Sequence, residues 1–183
     1  MPSERLIPPY RAQWESTALV AALLAGRDAA TDPRWAASGA ADVTEYARWA
    51  EHLCGCACLQ MALGALGRPV PRIHDIRRAV QALGGYVEQP DGAIRGLIYA
   101  GAVAWLNGLG LAAETLLDLD AAAIPPLVAE GGLFIASVHP GIRWPDADPP
   151  TRGGHLVLAF GMHGDLLRFH NPSGDVPAAQ ADA

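Results

Sequence analysis

The hydrophobic period changes once along this chain, and that change limits the folds open to it. Residues 133 to 138 (LFIASV), 155 to 162 (HLVLAFGM) and 166 to 170 (LLRFH) are short, rich in β-formers and bounded by turn residues. They predict three strands of an antiparallel sheet, the last two joined as a hairpin through His163-Gly164-Asp165. In the first two-thirds apolar residues recur instead at spacings of three and four, which predicts helices. An α+β fold with helices first and sheet last is the expectation.

Helices are expected over Gln13 to Leu24, Cys54 to Leu66, Ile73 to Leu83, Ile94 to Leu106 and Leu119 to Ala129, the last with Pro125-Pro126 either breaking it or starting it afresh. Residues 1 to 12 read as an extended arm. Residues 28 to 41 read as a connection with a short helix near Arg34 to Ser38. Between the first two strands lies a long loop, residues 139 to 154, with four prolines and three glycines. Loops of this length inside a domain are often functional. At 183 residues one domain is expected. Within it, 1–45 reads as an N-terminal helical arm, 46–175 as a core and 176–183 as a flexible tail. The arm could cover a cleft, dock a partner or complete the core.

Composition excludes some roles. A 51% hydrophobic content is too high for a disordered chain, and a net charge of −6 gives no basic footprint for nucleic acid. The apolar run ALVAALLAG at 18 to 26 has Glu15 ahead of it and no small-residue cleavage site behind, so it reads as a helix and not a signal peptide. No run is long enough to span a bilayer. The expectation is a soluble, cytoplasmic protein with no membrane or nucleic-acid partner.

The chemistry concentrates in HLCGCACLQM, residues 52 to 61, which holds all three cysteines. Cys54 starts the expected helix, where free backbone N–H groups and the macrodipole favour a thiolate. Gly55 would let another chain approach, and the Cys54 N–H could donate to an oxyanion. Cys56 and Cys58 fall deeper, where cysteine is a small hydrophobe. Zinc through His52, Cys54, Cys56 and Cys58 is disfavoured, because structural zinc sites draw ligands from separated knuckles. A redox pair lacks the C-x-x-C spacing. No metal and no cofactor are expected.

A nucleophilic thiol needs a base, and the base needs an orienting group. His155 opens the second strand beside the long loop. Cross-strand partners around the 163–165 turn sum to about 328, so Asn171 lies two residues from direct opposition to His155, a diagonal contact. An amide oxygen there could take the proton of one ring nitrogen and leave the other for the thiol. His170 reads as a strand residue facing away. His74, His139 and His163 read as surface or turn residues.

Cysteine, histidine and asparagine in this order match papain-like enzymes, and CGCACLQMAL, GGHLVLAFG and FHNPSG resemble motifs of the C39-like cysteine peptidase family over about residues 48 to 174. The resemblance implies a papain-like fold, Cys54 as nucleophile, His155 as general base, Asn171 as its orienter and a peptide or protein substrate, for instance the leader of a small modified peptide. Family members place an oxyanion glutamine about six residues before the nucleophile. Here Arg48 and Trp49 stand there, either able to donate a hydrogen bond. His139, Arg143 and Trp144 in the long loop are candidate substrate contacts. The membrane-spanning and ATPase regions of bacteriocin exporters have no counterpart, so a free-standing enzyme is expected. An acyl transferase or cyclase using the same thiol, or a non-catalytic peptide-binding module, are the alternatives.

Overall fold

The structure, a computed structural model, describes residues 7 to 144 and 151 to 183. The first six residues of the expected arm and residues 145 to 150 of the expected loop lie outside the described residues. Helices come first and the larger of two antiparallel sheets comes last, a mixed α+β architecture.

Near the N-terminus the expected helix from Gln13 shortens to a 3-10 turn, Thr17–Leu19, and α1, Val20–Leu24. The reason is competition for backbone groups. Gln13 N–H donates to Pro172 O (2.9 Å), Glu15 N–H to Tyr46 Oη (3.0 Å) and Ser16 N–H to Asp32 Oδ2 (3.1 Å), so this stretch is bonded across the molecule and not along a helix. The 28–41 connection carries 3-10 turns at Ala29–Thr31 and Trp35–Ser38. Then comes α2, Val43–Ala50, which the sequence reading left out. Its signal was present: Asp42 accepts from Glu45 N–H (2.8 Å) and Glu45 accepts from Ala41 N–H (2.5 Å), close to a capping box.

At the centre is α3, Cys54–Ala65, with Gly55 through Leu63 all buried. A helix apolar all round needs partners on every side. Cys56, Ala57, Leu59 and Leu63 pack with Ile73, Ile76 and Val80 of α4, Ile73–Ala82, while Cys58, Met61 and Ala62 pack on Leu156 and Leu158 of the large sheet. A third cluster joins Ala12 and Trp14 of the arm to Val20 and Leu23 of α1 and to Tyr46 and Ala50 of α2. Of the roles open to the first 45 residues, the described part therefore completes the core.

The helix expected from Ile94 starts later, because Asp91-Gly92 turns the chain into a hairpin of β1, Val87–Glu88, and β2, Ile94–Arg95. Gly92 has φ of 86°, and Gln89 N–H bonds to Ala93 O (2.8 Å). Asp-Gly between β-prone residues is the signal for such a turn. Next is α5, Tyr99–Gly108, followed by a 3-10 turn, Ala121–Ala123, and α6, Ile124–Val128, whose first turn holds Pro125 and Pro126. The prolines start the helix afresh.

The large sheet is ordered β3, Phe134–Val138; β4, His155–His163; β5, Leu166–His170. Leu158 pairs with His170 and Ala159 with Phe169, and a bulge between Ala159 and Gly161 moves the register by one toward the turn. On its other side β4 pairs His155 with Val138. The C-terminal residues, expected as a flexible tail, instead fold back along β5. Phe169 and Ala183 exchange backbone bonds (3.3 and 3.0 Å), and Arg168 grips both oxygens of Asp182 (2.6 and 2.7 Å).

Candidate functional site

The first residue of α3 is Cys54. Leu53 before it supplies no side-chain cap, which leaves first-turn N–H groups for other partners. The backbone N–H groups of Leu156, Gly55 and Cys54 itself favour the thiolate form of Cys54. Leu156 follows His155 directly, so packing α3 on β4 brings the thiol to the strand's opening residues. Gly55 permits this approach: a Cβ there would lie 2.6 Å from Leu97 Cδ2 and 3.0 Å from Leu156 Cδ1. Leu97, in the turn before α5, thus borders the site.

The thiol differs electrostatically from the expectation at a helix start. Burial pushes it above the ordinary cysteine value, outweighing the three N–H groups and the Arg143 charge that pull it down. Cys54 still reaches the surface, whereas Cys56 and Cys58 are fully buried. Burial pushes Cys56 up to about 12 and Cys58 well above the ordinary cysteine value, and Cys56 contacts Tyr86 Oη at 3.3 Å. All three cysteines are free thiols.

His155 is buried at the opening of β4, and its Nε2 lies 2.8 Å from Asn171 Oδ1. The orientation of the Asn171 amide follows from a second contact. Ser173 N–H, an obligate donor, lies 3.0 Å from the same oxygen, so that atom must be the acceptor and not the NH₂. An acceptor facing Nε2 requires the imidazole proton to sit on Nε2. Nδ1 then carries the lone pair and has no hydrogen-bond partner among the described residues. Burial pushes His155 down to about 4 despite the Asn171 bond, with Arg143 adding to the fall. No hydrogen bond joins Cys54 to His155 among the described residues. Burial opposes charge on both groups, raising the thiol and lowering the imidazole.

Asn171 is held from both ends of the chain. Tyr10 Oη donates to Asn171 O (3.1 Å), Asn171 N–H donates to Gln180 O (2.7 Å), and Gln180 Nε2 donates to Gly174 O (2.9 Å). The Asn171 Nδ2 group is buried without a hydrogen-bond partner among the described residues.

The remaining expected residues divide. Arg143 reaches the cluster: its Nε donates to Ser173 Oγ (2.8 Å) and Ser173 O (3.2 Å). His139 caps the 3-10 turn Pro140–Arg143, accepting from Gly141 N–H through Nδ1 (2.9 Å), and Trp144 is exposed. Arg48 and Trp49 have other occupations. Arg48 pairs with Glu88 (2.6 Å) beside the β1–β2 turn, and Trp49 is a core residue under the Arg77 guanidinium, 4.5 Å from its ring centroid. The N–H groups around the Cys54 sulfur are the donors the structure offers there instead. Ser173 was missed, although Asn-Pro-Ser-Gly is a turn in which a hydroxyl bonds locally. His74, expected on the surface or in a turn, is buried in α4, and His170 is a strand residue, buried at the end of β5. Among the described residues no cluster of histidine, cysteine, aspartate or glutamate could hold a metal ion, and no helix is long and apolar enough to cross a membrane.

Compared with family models, curated proteins and solved structures, the chain finds no match in any of the three.

Proposed function

We propose that this protein is a papain-like cysteine peptidase that cleaves a peptide or protein amide through an acyl-enzyme. In this reading the Nδ1 lone pair of His155 accepts the proton of Cys54 as the sulfur attacks the carbonyl carbon. The imidazolium then returns the proton to the leaving amine, and water resolves the thioester. Asn171 keeps Nε2 protonated and stabilises the imidazolium. The N–H groups of Cys54 and Gly55 would receive the oxyanion, the role the sequence suggested for Arg48 and Trp49. The single observation that supports this reading most is the short His155 Nε2 to Asn171 Oδ1 bond with its amide orientation fixed by Ser173 N–H. It leaves the Nδ1 lone pair available as a base.

One observation favours the non-catalytic peptide-binding alternative: burial raises the thiol and lowers the imidazole, which opposes a resting thiolate. The two readings separate in a peptide pool incubated in H₂¹⁸O. A peptidase generates new C-termini carrying ¹⁸O, absent with Cys54→Ala. Products joined to an added amine without ¹⁸O would mark an acyl transferase or cyclase. Peptides that co-purify uncut with both proteins would leave the binding module.

A further inference from the structure

Ser173 Oγ lies 3.1 Å from His155 Nε2, and Arg143 Nε lies 2.8 Å from Ser173 Oγ. Arg143 is half-buried, makes no ion pair among the described residues, and feels Glu51 and Asp175 only as charges at a distance. Arg143 directs its Nε to Ser173 and, among the described residues, to no carboxylate. Its fixed partner is the residue after Pro172 in the turn that follows β5.

Two obligate donors, Ser173 N–H and Arg143 Nε–H, set the polarity of these contacts, and the Ser173 hydroxyl can place its own proton toward Asn171 Oδ1 at 3.5 Å. Arginine can only donate, so one lone pair of Ser173 Oγ is taken by Arg143 Nε–H. The other can accept from His155 Nε2–H, which already points at Asn171 Oδ1 and is shared between the two oxygens. Were Nε2 unprotonated, Asn171 Oδ1 would face it lone pair to lone pair at 2.8 Å. Ser173 also supplies the backbone N–H that fixes the Asn171 amide. Both acceptors on His155 therefore converge on one residue, and that residue is pinned by Arg143.

We propose that Ser173 and Arg143 are positioning residues that lock His155 in its Nε2–H tautomer, Ser173 through its hydroxyl and its backbone N–H, Arg143 by holding Ser173 in place. This rests on the reading of His155 as the base for Cys54. It gives Arg143 a role inside the site in addition to that of a substrate contact. Papain-like chemistry needs Nδ1 bare, and a single neutral amide is a weaker guarantee of that than two convergent acceptors.

The test uses the full chain with ¹⁵N-labelled histidine. Long-range ¹H–¹⁵N spectra report the His155 tautomer, and iodoacetamide labelling mapped to Cys54 reports reactivity. The wild type should show the Nε2–H form alone. Ser173→Ala and Arg143→Met should mix the tautomers and slow Cys54 alkylation by roughly tenfold, as expected when a base loses its correct tautomer part of the time. Arg143→Lys, which can still donate to Ser173 Oγ, should recover part of both. Unchanged tautomer in Arg143→Met and Ser173→Ala, both shown folded by spectral dispersion, would overturn the proposal. So would slowed alkylation with an unchanged tautomer, which would assign Arg143 to the thiol or the substrate. A wild type with a pure tautomer but no His155-dependent reactivity at Cys54 would fail the peptidase reading and leave the lock intact.

Discussion

The opening of β4 and the end of β5 each hold a buried histidine, and the two rings are used in opposite ways. His170 has both nitrogens committed: Nε2 donates to Pro8 O (2.7 Å) and Nδ1 accepts from Asp182 N–H (2.9 Å), with Phe160 and Tyr10 rings at 4.6 and 5.8 Å. It ties the N-terminal arm and the C-terminal tail to the sheet. His155 has Nε2 fixed by Asn171 and Ser173, and its Nδ1 has no hydrogen-bond partner among the described residues. A ring satisfied on both sides is structural, and a ring satisfied on one side is poised to move a proton. His74 completes the series, fully buried with neither nitrogen partnered among the described residues and pushed by burial to about 4.

The largest expected effect falls on His155. His155→Ala should lower kcat/KM on any peptide identified in the ¹⁸O experiment by about 10³- to 10⁴-fold, the scale of losing a general base. His170→Ala should act on stability instead. Leaving Pro8 O and Asp182 N–H unpaired in a buried site should cost about 3 kcal/mol, roughly 6–12 °C in Tm for a chain of this size. Its turnover per folded molecule should stay within about threefold of wild type. An equal loss of turnover in both variants would break the contrast between the rings.

His74 sharpens it through pH. His74 and His155 have folded values near 4 against an ordinary 6.5, so the unfolded chain binds protons that the folded chain refuses. Stability is therefore level above about pH 6.5 and falls as pH drops toward 4, by on the order of 1 kcal/mol per pH unit for each histidine. Chemical unfolding at several pH values measures this slope. His74→Leu should remove its own share of that slope, those of His155, His52 and His170 remaining, while leaving stability at pH 7 within about 1 kcal/mol, since an apolar side chain replaces a polar one that has no partner among the described residues. The smallest effect should come from Arg168→Ala, which removes a surface pair with Asp182 and should cost less than about 1 kcal/mol. A larger loss would mean that the tail is held by this pair more than by His170.

Much of the site was legible because it is built from short-range rules. The hairpin turn at 163–165 sets the β5 register, and the register carries Asn171 to His155 across a bulge the sequence does not announce. Cys54 could be placed from the apolar pattern of α3 and its glycine-proline stop. What could not be read depends on contacts distant in the chain. The arm stays extended because Pro172 and Asp32 claim its backbone, and the tail is ordered by His170 and Arg168. The electrostatics of Cys54 reversed for the same reason. A helix start argues for a low thiol value, but β4 and Leu97 closing over it supply a desolvation that no local pattern encodes.

The proton-accepting role of His155 toward Cys54 is tested most directly by the pH profile of Cys54 alkylation in the wild type and in His155→Ala. The reactive pair exists once the imidazole has lost its second proton, so the wild-type rate should rise with a midpoint near pH 4 and hold a plateau through neutrality. In His155→Ala the plateau should vanish, leaving a rate that climbs only in the alkaline range as the isolated, buried thiol ionises. Superimposable profiles for the two proteins would contradict the account and return Cys54 to the status of an ordinary thiol.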